Sequence, residues 1–346
     1  KKNQKKKKNQ KKKKNQKKRK NQKKRKNLKK RKNLKKRRSL KKRKNLKKRT
    51  SQLKAAICNQ AADLDSVACA VVYADIIGAK AIVPIPRDDL RLRAEVEFLL
   101  EKAGYSQDDI LFEGEFEPSQ IEKLVLVDHN VLPKEFECLN SKVTEIIDHH
   151  IDECILPIHK TIARTGSCAS LVAKRITELG KTPGANQAIM LLGAVLIDTR
   201  NLVHGHPTTQ EDTEAAHLLV QKAGIEPDAL FKELWGIKSD LSKFTPQELL
   251  RKDYKEVDQN GIKIGFSTIY ASLETFSGNI MAEAEKYRIQ KGLDYLVIMT
   301  ADHSTEPIRK EFAILPLKQK IIEHLNKIPG NTLTMPTKQP AVIPNN

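Results

Sequence analysis

Acidic residues are absent from the first fifty positions of this 346-residue sequence, although the whole chain contains 42 Asp and Glu residues. The same stretch holds 33 of the 65 Lys and Arg residues. The remaining 32 basic residues stand against all 42 acidic ones, so residues 51–346 carry a net charge of −10 although the whole chain carries +23. The sequence thus divides into a basic arm, residues 1–50, and an acidic remainder.

Long apolar runs and closely paired cysteines are also missing. No run reaches the ~20 residues that a transmembrane helix needs, and no signal-peptide segment precedes the first apolar strand. The five cysteines lack CxxC spacing, which argues against a zinc finger or a disulfide framework. They are Cys58, Cys69, Cys138, Cys154 and Cys168. We therefore expect a cytoplasmic protein with reduced thiols and no membrane partner.

The basic arm repeats a six-residue unit of the type KKNQKK. Because it has almost no apolar side chains to bury, we predict that it is disordered on its own. Dense Lys and Arg runs bind nucleic acid or other polyanions, and they also serve as nuclear localisation signals. An expanded repeat without any role is an equally good interpretation. If the arm is functional, nucleic acid or another polyanion is its expected partner, and the nucleus is an alternative location.

Residues 53–223 alternate short β-branched runs with longer amphipathic ones, which is typical of an α/β fold with a parallel sheet. Strands are predicted over 54–58, 80–84, 123–127 and 143–147. Helices are predicted over 66–78, 88–103, 167–179, 186–197 and 208–222. This pattern predicts a first domain built on a parallel sheet covered on both faces.

A polar stretch, residues 224–240, is interpreted as a linker and hinge to a second unit. Residues 241–328 predict a smaller C-terminal α/β domain that binds substrate, and the Pro-rich residues 329–346 predict a loose tail. Helices of this second domain are predicted over 246–252, 279–291 and 318–327. Its strands are predicted over 253–258, 262–270, 294–300 and 311–315.

Acidic and histidine side chains follow the predicted strands of the first domain, at the sheet edge where α/β proteins place their sites. Each has an ordinary explanation by itself, such as capping a helix. Together they would crowd like charges unless cations lie among them. The residues are Asn59, Asp63, Asp65, Asp128, His129, Asp148, His149, His150 and, at the end of an apolar run, Asp198.

Oxygen-rich sites with one or two imidazoles suit Mg²⁺, Mn²⁺ or Co²⁺ better than structural zinc. Two such ions about 3.5–4 Å apart hold a hydroxide and polarise a phosphoryl group. The pattern of acids and histidines therefore predicts two divalent cations and metal-assisted phosphoryl hydrolysis.

The motifs CNQAADLDS, LVDHN, IIDHH and LIDT, in this order, resemble the DHH phosphoesterase family, and more narrowly its exopolyphosphatase, family II inorganic pyrophosphatase and prune-like branch. The resemblance runs from about Leu53 to about Lys327. It implies that the metal ligands are Asp63, Asp65, Asp128, His149 and Asp198. It further implies that Asp128 bridges the two ions, that Asp148 and His129 support the ligands, and that the catalytic set is Asp128, His149 and His150.

Asn59 departs from the family II pyrophosphatase pattern, in which His occupies this position. Asn is a neutral and weaker ligand, and its presence is similar to the exopolyphosphatase and prune-like members. We therefore predict Asn59 as a weak metal ligand, and its presence argues against a dedicated manganese pyrophosphatase.

A polyanionic substrate also needs cations that close over it. His150 would face the substrate phosphate. The cations implied by the resemblance are Arg87, Arg93, Lys255, Arg309 and Lys310, with Lys238 of the IKSD segment as a further candidate. Helix-face pairing with Asp88, Asp89 or Glu95 is the structural alternative for the first two arginines. The turn over 165–168 either donates backbone N–H groups to phosphate or only caps a helix.

These features predict an exopolyphosphatase that releases terminal phosphate from inorganic polyphosphate by attack of a metal-activated hydroxide. The alternatives are an inorganic pyrophosphatase, a prune-like short-chain polyphosphatase with a regulatory role, and a polyanion- or RNA-binding module that acts through the arm. A DHH nuclease is disfavoured because the sequence lacks a GGGH-like loop and its folded part is acidic.

Overall fold

The computed structural model describes residues 52–204, 207–272, 280–302, 309–316 and 343–344. The basic arm and the helix predicted over 318–327 lie outside the described residues, as does all of the tail except its residues 343–344. No helix in the described part of the chain is both long and apolar enough to cross a bilayer.

The first domain contains a six-stranded sheet in which every neighbouring pair of strands is parallel. Its spatial order is 3-2-1-4-5-6. The strands are β1 (Leu53–Ile57), β2 (Lys80–Val83), β3 (Ile110–Phe112), β4 (Ile121–Val127), β5 (Val143–Asp148) and β6 (His159–Ile162). The parallel-sheet prediction is therefore confirmed, with β3 and β6 as additional edge strands.

Alternate residues of the central strands point to two separate cores, as strand geometry requires. In β1, Ala56 joins one buried cluster, whereas Ala55 and Ile57 join the other. In β4, Val125 and Leu126 divide in the same way. Because both faces of these strands are buried, their sequences are continuously apolar.

The first of these clusters, the helical core, is formed with α-helices. They are α1 (Leu64–Ile77), α2 (Ala94–Lys102), α3 (Cys168–Glu178), α4 (Ala185–Asp198), α5 (Gln210–Ala223) and α6 (Pro227–Ser239). The opposite face is covered by loop residues and a 3₁₀ segment, Lys134–Lys142, which contributes Leu139 and Phe136. The predicted helix over 88–103 is divided at Arg93 into a 3₁₀ turn, Arg87–Leu92, and α2.

The stretch interpreted as a linker is mostly α6, and this helix packs into the first domain. Leu230 and Leu234 are buried in the helical core, and Trp235 packs against it. Pro227 begins the helix, since proline is well suited to the first turn. Residues 224–240 are therefore a correction to the sequence prediction: they form a docked helix and not an open hinge.

The second domain is a mixed five-stranded sheet in the order β11-β10-β9-β8-β7. Its β8 and β9 are parallel, and its other neighbouring strands are antiparallel. Residues 343–344 of the predicted loose tail form its edge strand. The elements are α7 (Pro246–Lys252), β7 (Tyr254–Gln259), β8 (Ile262–Ile269), α8 (Ile280–Lys291), β9 (Tyr295–Asp302), β10 (Arg309–Leu315) and β11 (Ile343–Pro344).

Charged side chains connect the two domains. Lys252 at the end of α7 is buried and donates to the Leu92 carbonyl at 2.7 Å and to Glu95 Oε2 at 3.2 Å. Lys238 on α6 lies 3.7 Å from the other oxygen of Glu95. Arg91 pairs with Glu248 of α7. The buried carboxylate of Glu95 thus forms ion pairs with two ammonium groups, which fixes α7 against α2 and α6.

We predict that Leu234→Ala lowers the free energy of unfolding by roughly 2–5 kcal/mol, because it leaves a cavity in the helical core. Lys232→Ala, at an exposed position of the same helix, should change it by less than about 0.5 kcal/mol. Urea unfolding followed by circular dichroism measures both. Equal, small effects would show that α6 is a connector and not part of the core.

Candidate metal centre

The candidate metal centre lies at the carboxyl ends of β1, β4 and β5. From β1 the chain continues outward to β2 and β3 and then returns to β4 on the other side of β1, so a crevice is expected between the ends of β1 and β4. Asn59 follows β1, Asp128 comes directly after β4, and Asp148 is the last residue of β5. The sheet order therefore brings together residues that are far apart in the sequence.

Asp128 is held in the left-handed backbone region, with a φ of +62°, which few residues other than Gly adopt. Its N–H donates to the Ile147 carbonyl at 2.9 Å. Asn59 Nδ2 donates to Asp128 Oδ2 and, at 3.3 Å, to the Asp128 carbonyl. Asn59 Oδ1 accepts the Ala61 N–H at 2.8 Å. Asn59 thus orients Asp128, and its role as a weak metal ligand stays a prediction.

Two histidines approach the other oxygen of Asp128. His149 Nε2 lies 3.2 Å and His150 Nδ1 lies 3.8 Å from Asp128 Oδ1. One donor atom from each of the three residues lies within 4.8 Å of the others, which is close enough to hold a metal ion. Among the described side chains, Asp128 Oδ1 is one of the buried polar atoms that lack a hydrogen-bond partner.

Asp148 orients the two histidines. Its Oδ1 accepts the His149 N–H at 2.8 Å and lies 2.8 Å from His150 Nδ1. Its Oδ2 accepts from Asn130 Nδ2 at 2.6 Å. Burial raises the pKa of Asp148, but its hydrogen bonds with His150 and Asn130 outweigh burial and lower it. Asp148 is therefore a charged, fully engaged support and not a free ligand.

Asp65, on the first turn of α1, lies against the N-terminus of α3. Its oxygens accept from Ser167 Oγ at 2.6 Å, the Cys168 N–H at 2.7 Å and the Ala169 N–H at 2.9 Å. Gly166 N–H and Ser167 N–H donate instead to Asp212 at 2.7 and 3.2 Å. The turn over 165–168 therefore caps α3 and holds carboxylates, so these N–H groups are not open to a phosphate.

Asp63 and Asp198 complete the group of acids. Asp63 caps α1 by accepting the Ser66 N–H at 3.0 Å, and Asp198 is the last residue of α4. Burial and the neighbouring charges of Asp65 and Asp63 hold the pKa of Asp198 well above its usual range. Burial likewise raises the pKa of Asp65. The carboxylates of Asp63, Asp65, Asp128 and Asp198, which come from the start of α1, the end of β4 and the end of α4, thus repel one another.

The charge of Asp128 is also disfavoured by this crowding. Burial, followed by the charges of Asp65 and Asp63, raises the pKa of Asp128 to about 7. Burial lowers the pKa of His149, but Asp128 and Asp65 outweigh it and raise the value to about 10. Hydrogen bonding to Asp148 raises the pKa of His150. Protons on these groups thus partly neutralise the centre.

This donor set fits divalent cations. The buried Oδ1 of Asp128, the raised carboxyl pKa values and the adjacent imidazole are features of a site that favours positive charge. Oxygen donors with one or two imidazoles match Mn²⁺, Mg²⁺ or Co²⁺. His129 has a different environment from His149 and His150. Burial lowers its pKa to about 4, and its Nδ1 lies 2.9 Å from the Val127 carbonyl oxygen.

Two lysines reach the centre from outside the first sheet. Lys255 on β7 lines the cavity of about 390 Å³ that also contains Asp128, His150 and Asn59. Burial raises the pKa of Asp63, but the Ser66 N–H and the charges of Lys238 and Lys255 outweigh it and lower it. Burial and the neighbouring carboxylates raise the pKa of Asp198, and the positive charge of Lys238 offsets only part of this rise. The sequence did not place Lys238 near these acids, because residues 224–240 were predicted to be a linker and not a docked helix.

The arginines are placed differently from the lysines. Arg87 makes a two-pronged bond to Glu115 at 2.7 and 2.8 Å, stacks on Phe112 and donates to two carbonyls. Arg93 is buried and donates to the Ala61 carbonyl, beneath the loop that carries Asp63. The described hydrogen bonds of these two arginines therefore do not go to the side chains of Asp88, Asp89 or Glu95, which helix-face pairing suggested. Arg309 pairs with Glu311 at 2.7 Å on β10, where Lys310 is exposed.

Comparison with known proteins matches both halves of the chain to families. Residues 55–197 match the DHH family, N-terminal domain, and residues 232–340 match the DHHA2 domain. Exopolyphosphatase PRUNE1 of Bos taurus is 30% identical over 315 residues, which cover 82% of this chain and 69% of that protein. A manganese-dependent inorganic pyrophosphatase of Methanocaldococcus jannaschii is 28% identical and covers 78% of this chain and 90% of its own length.

Among solved structures, one assigned to the family II inorganic pyrophosphatases of Methanococcus jannaschii superposes with a TM-score of 0.65. It is 24% identical and covers 79% of this chain and 89% of its own, so it shows a shared fold. The chain spans between 62% and 70% of the length of the exopolyphosphatase relatives that it matches.

We predict that Mn²⁺ affinity falls as the pH is lowered from 8 to 6. Because the pKa values of Asp128 and His149 are raised to about 7 and about 10, the ion must displace protons, and each displaced proton weakens affinity roughly tenfold per pH unit. Calorimetric titration at several pH values measures this dependence. An affinity independent of pH over this range would contradict the assignment of these two residues as ligands.

Proposed function

Because this chain belongs to the DHH phosphoesterase family, with a DHHA2 domain after its DHH domain, we propose that it is a metal-dependent phosphoanhydride hydrolase. Inorganic polyphosphate is the proposed substrate, with release of terminal phosphate. The observation that carries the proposal is the buried Asp128 carboxylate, which lies among three further acids and two histidines at the switch point of the sheet.

The proposed metal ligands are those that converge on the crevice: Asp63, Asp65, Asp128, His149 and Asp198. They supply mostly oxygen donors, and Asp128, whose Oδ1 lies 3.2 Å from His149 Nε2, would contribute its carboxylate to the bound cations. When bound, divalent cations would activate water and neutralise charge on the phosphoryl oxygens. This role explains why the fold tolerates so many carboxylates in a small volume.

The chain's own residues bind and orient the substrate in this proposal. His150 is half exposed and lines the cavity, and its hydrogen bond with Asp148 raises its pKa, which favours the protonated imidazole as a donor to a phosphate oxygen. Lys255 lines the same cavity, and the charge of Lys238 on α6 acts on Asp63. These groups stabilise the additional negative charge that develops during phosphoryl transfer.

The three arginines, Arg87, Arg93 and Arg309, have different proposed roles. Arg309 and Lys310 are exposed on β10 of the second domain and are proposed to bind the distal part of the substrate. Arg93 is proposed as a buried support for the loop carrying Asp63, since its guanidinium is turned towards the Ala61 carbonyl. Arg87 is left out, because its bonds to Glu115 and to two carbonyls direct it away from substrate.

A manganese-dependent pyrophosphatase is the second candidate. The observation in its favour is the 28% identity to the Methanocaldococcus jannaschii enzyme over 90% of that enzyme's length. Both candidates use the same centre and differ in the length of the phosphate chain. The arm could bind nucleic acid or another polyanion independently of this centre, and the cytoplasm remains the proposed location.

We predict that the full chain releases phosphate from long polyphosphate in the presence of Mn²⁺, Mg²⁺ or Co²⁺, and that Asp128→Ala abolishes this release. Pyrophosphate, triphosphate and long polyphosphate should be compared under identical conditions. A preference for pyrophosphate would favour the second candidate. No release from any of the three, or full release by Asp128→Ala, would contradict the proposal.

We predict that Lys255→Ala raises KM for the preferred substrate roughly ten- to a hundredfold, which corresponds to the loss of a hydrogen bond to a charged group, about 1.5–3 kcal/mol. Its kcat should change much less, because the metal ligands remain. Lys263→Ala, on the exposed face of β8, is the matched control and should leave both constants unchanged. Equal effects of the two variants would place Lys255 outside the site.

A further inference from the structure

Asp212 is a fully buried carboxylate that lies outside the group of acids. It is the third residue of α5, and none of its surface is exposed. A buried carboxylate without compensation is costly, so its partners indicate what holds it there. Asp212 accepts five hydrogen bonds, more than helix capping alone requires.

The donors to Asp212 come from two directions. Thr209 donates through its N–H at 2.7 Å and its hydroxyl at 2.8 Å, which completes the capping box of α5. Gly166 N–H and Ser167 N–H donate at 2.7 and 3.2 Å, and Ser170 Oγ donates at 2.6 Å. Asp212 therefore fastens the start of α5 to the turn that begins α3.

The same turn holds Asp65 on its other side. The residues next along the chain, Cys168 and Ala169, donate their N–H groups to Asp65, and Ser167 Oγ adds a third bond at 2.6 Å. Four consecutive N–H groups are thus shared between two carboxylates, two for each. A shift of the turn relative to Asp212 moves the donors that set the position of Asp65.

Gly166 shows how tightly the turn is seated. A Cβ atom built there would lie 2.9 Å from Asp212 Oδ2, 2.9 Å from the Pro207 carbonyl oxygen and 2.9 Å from Thr199 Cγ2. Two of these neighbours are the carboxylate itself and a backbone carbonyl, so there is little room to adjust. The backbone of the turn packs directly onto Asp212.

We propose that Asp212 is a positioning residue for the metal centre, acting through the 165–168 turn on Asp65. The inference rests on the proposed function, in which Asp65 is a metal ligand. A carboxylate is needed because all five partners are donors, and an amide would turn its NH₂ group towards some of them. The fold thereby fixes a ligand on α1 by means of an acid on α5.

The test is a double-mutant cycle on Mn²⁺ affinity, measured by calorimetric titration of the full chain well below its unfolding temperature. The chains are wild type, Asp212→Asn, Asp65→Asn and the double variant. We expect Asp212→Asn to lower affinity at least tenfold and to have no further effect when Asp65→Asn is already present. Ser170→Ala, which removes one bond to Asp212 but leaves the turn's N–H bonds, should stay within twofold of wild type.

Unchanged affinity in Asp212→Asn, or a loss of the same size with and without Asp65, would overturn the inference. A wild-type chain that binds no Mn²⁺ would instead overturn the proposed metal centre and the inference together. If Asp212→Asn does not fold, Gly166→Ala replaces it in the same cycle with the same expectation. If neither variant folds, Asp212 serves folding itself, and a specific positioning role is rejected.

Discussion

Repulsion between buried carboxylates is the constraint around which this molecule is organised. Asp63, Asp65, Asp128 and Asp198 come from the start of α1, the end of β4 and the end of α4, and burial and mutual charge raise the pKa values of three of them. Leaving such groups unpaired would cost several kcal/mol each. Imidazoles and ammonium groups compensate part of this charge, and divalent cations would compensate the rest.

Hydrogen bonds from the surrounding residues hold these carboxylates in position. Asn59 orients Asp128, Asn130 orients Asp148, and backbone N–H groups hold Asp65. The second domain takes part through Lys255, while Glu95 fixes α7 through Lys252 and contacts Lys238. Such supporting contacts are what keep metal ligands in place before the metal arrives. Charged residues of both domains therefore contribute to the electrostatics of the centre.

The sequence predicted the parts of the fold and site that depend on local pattern. Continuous apolar runs located β1, β4 and β5, and strand ends located the acids. The polar edge strand β6 carries no such signal, and α6 was mistaken for a linker because its charged residues obscure Leu230 and Leu234. Asp212 was missed for a different reason: its decisive partners lie more than forty residues away, and such contacts leave no spacing to recognise.

The central proposal for this molecule is that Asp128 and His149 share bound metal. Electron paramagnetic resonance of the Mn²⁺-loaded full chain tests this without reference to turnover. We expect a spin-coupled pair of Mn²⁺ ions with a ¹⁴N coupling from imidazole, and we expect His149→Gln to remove that nitrogen coupling. Isolated Mn²⁺ ions without nitrogen coupling in the wild-type chain would contradict the account.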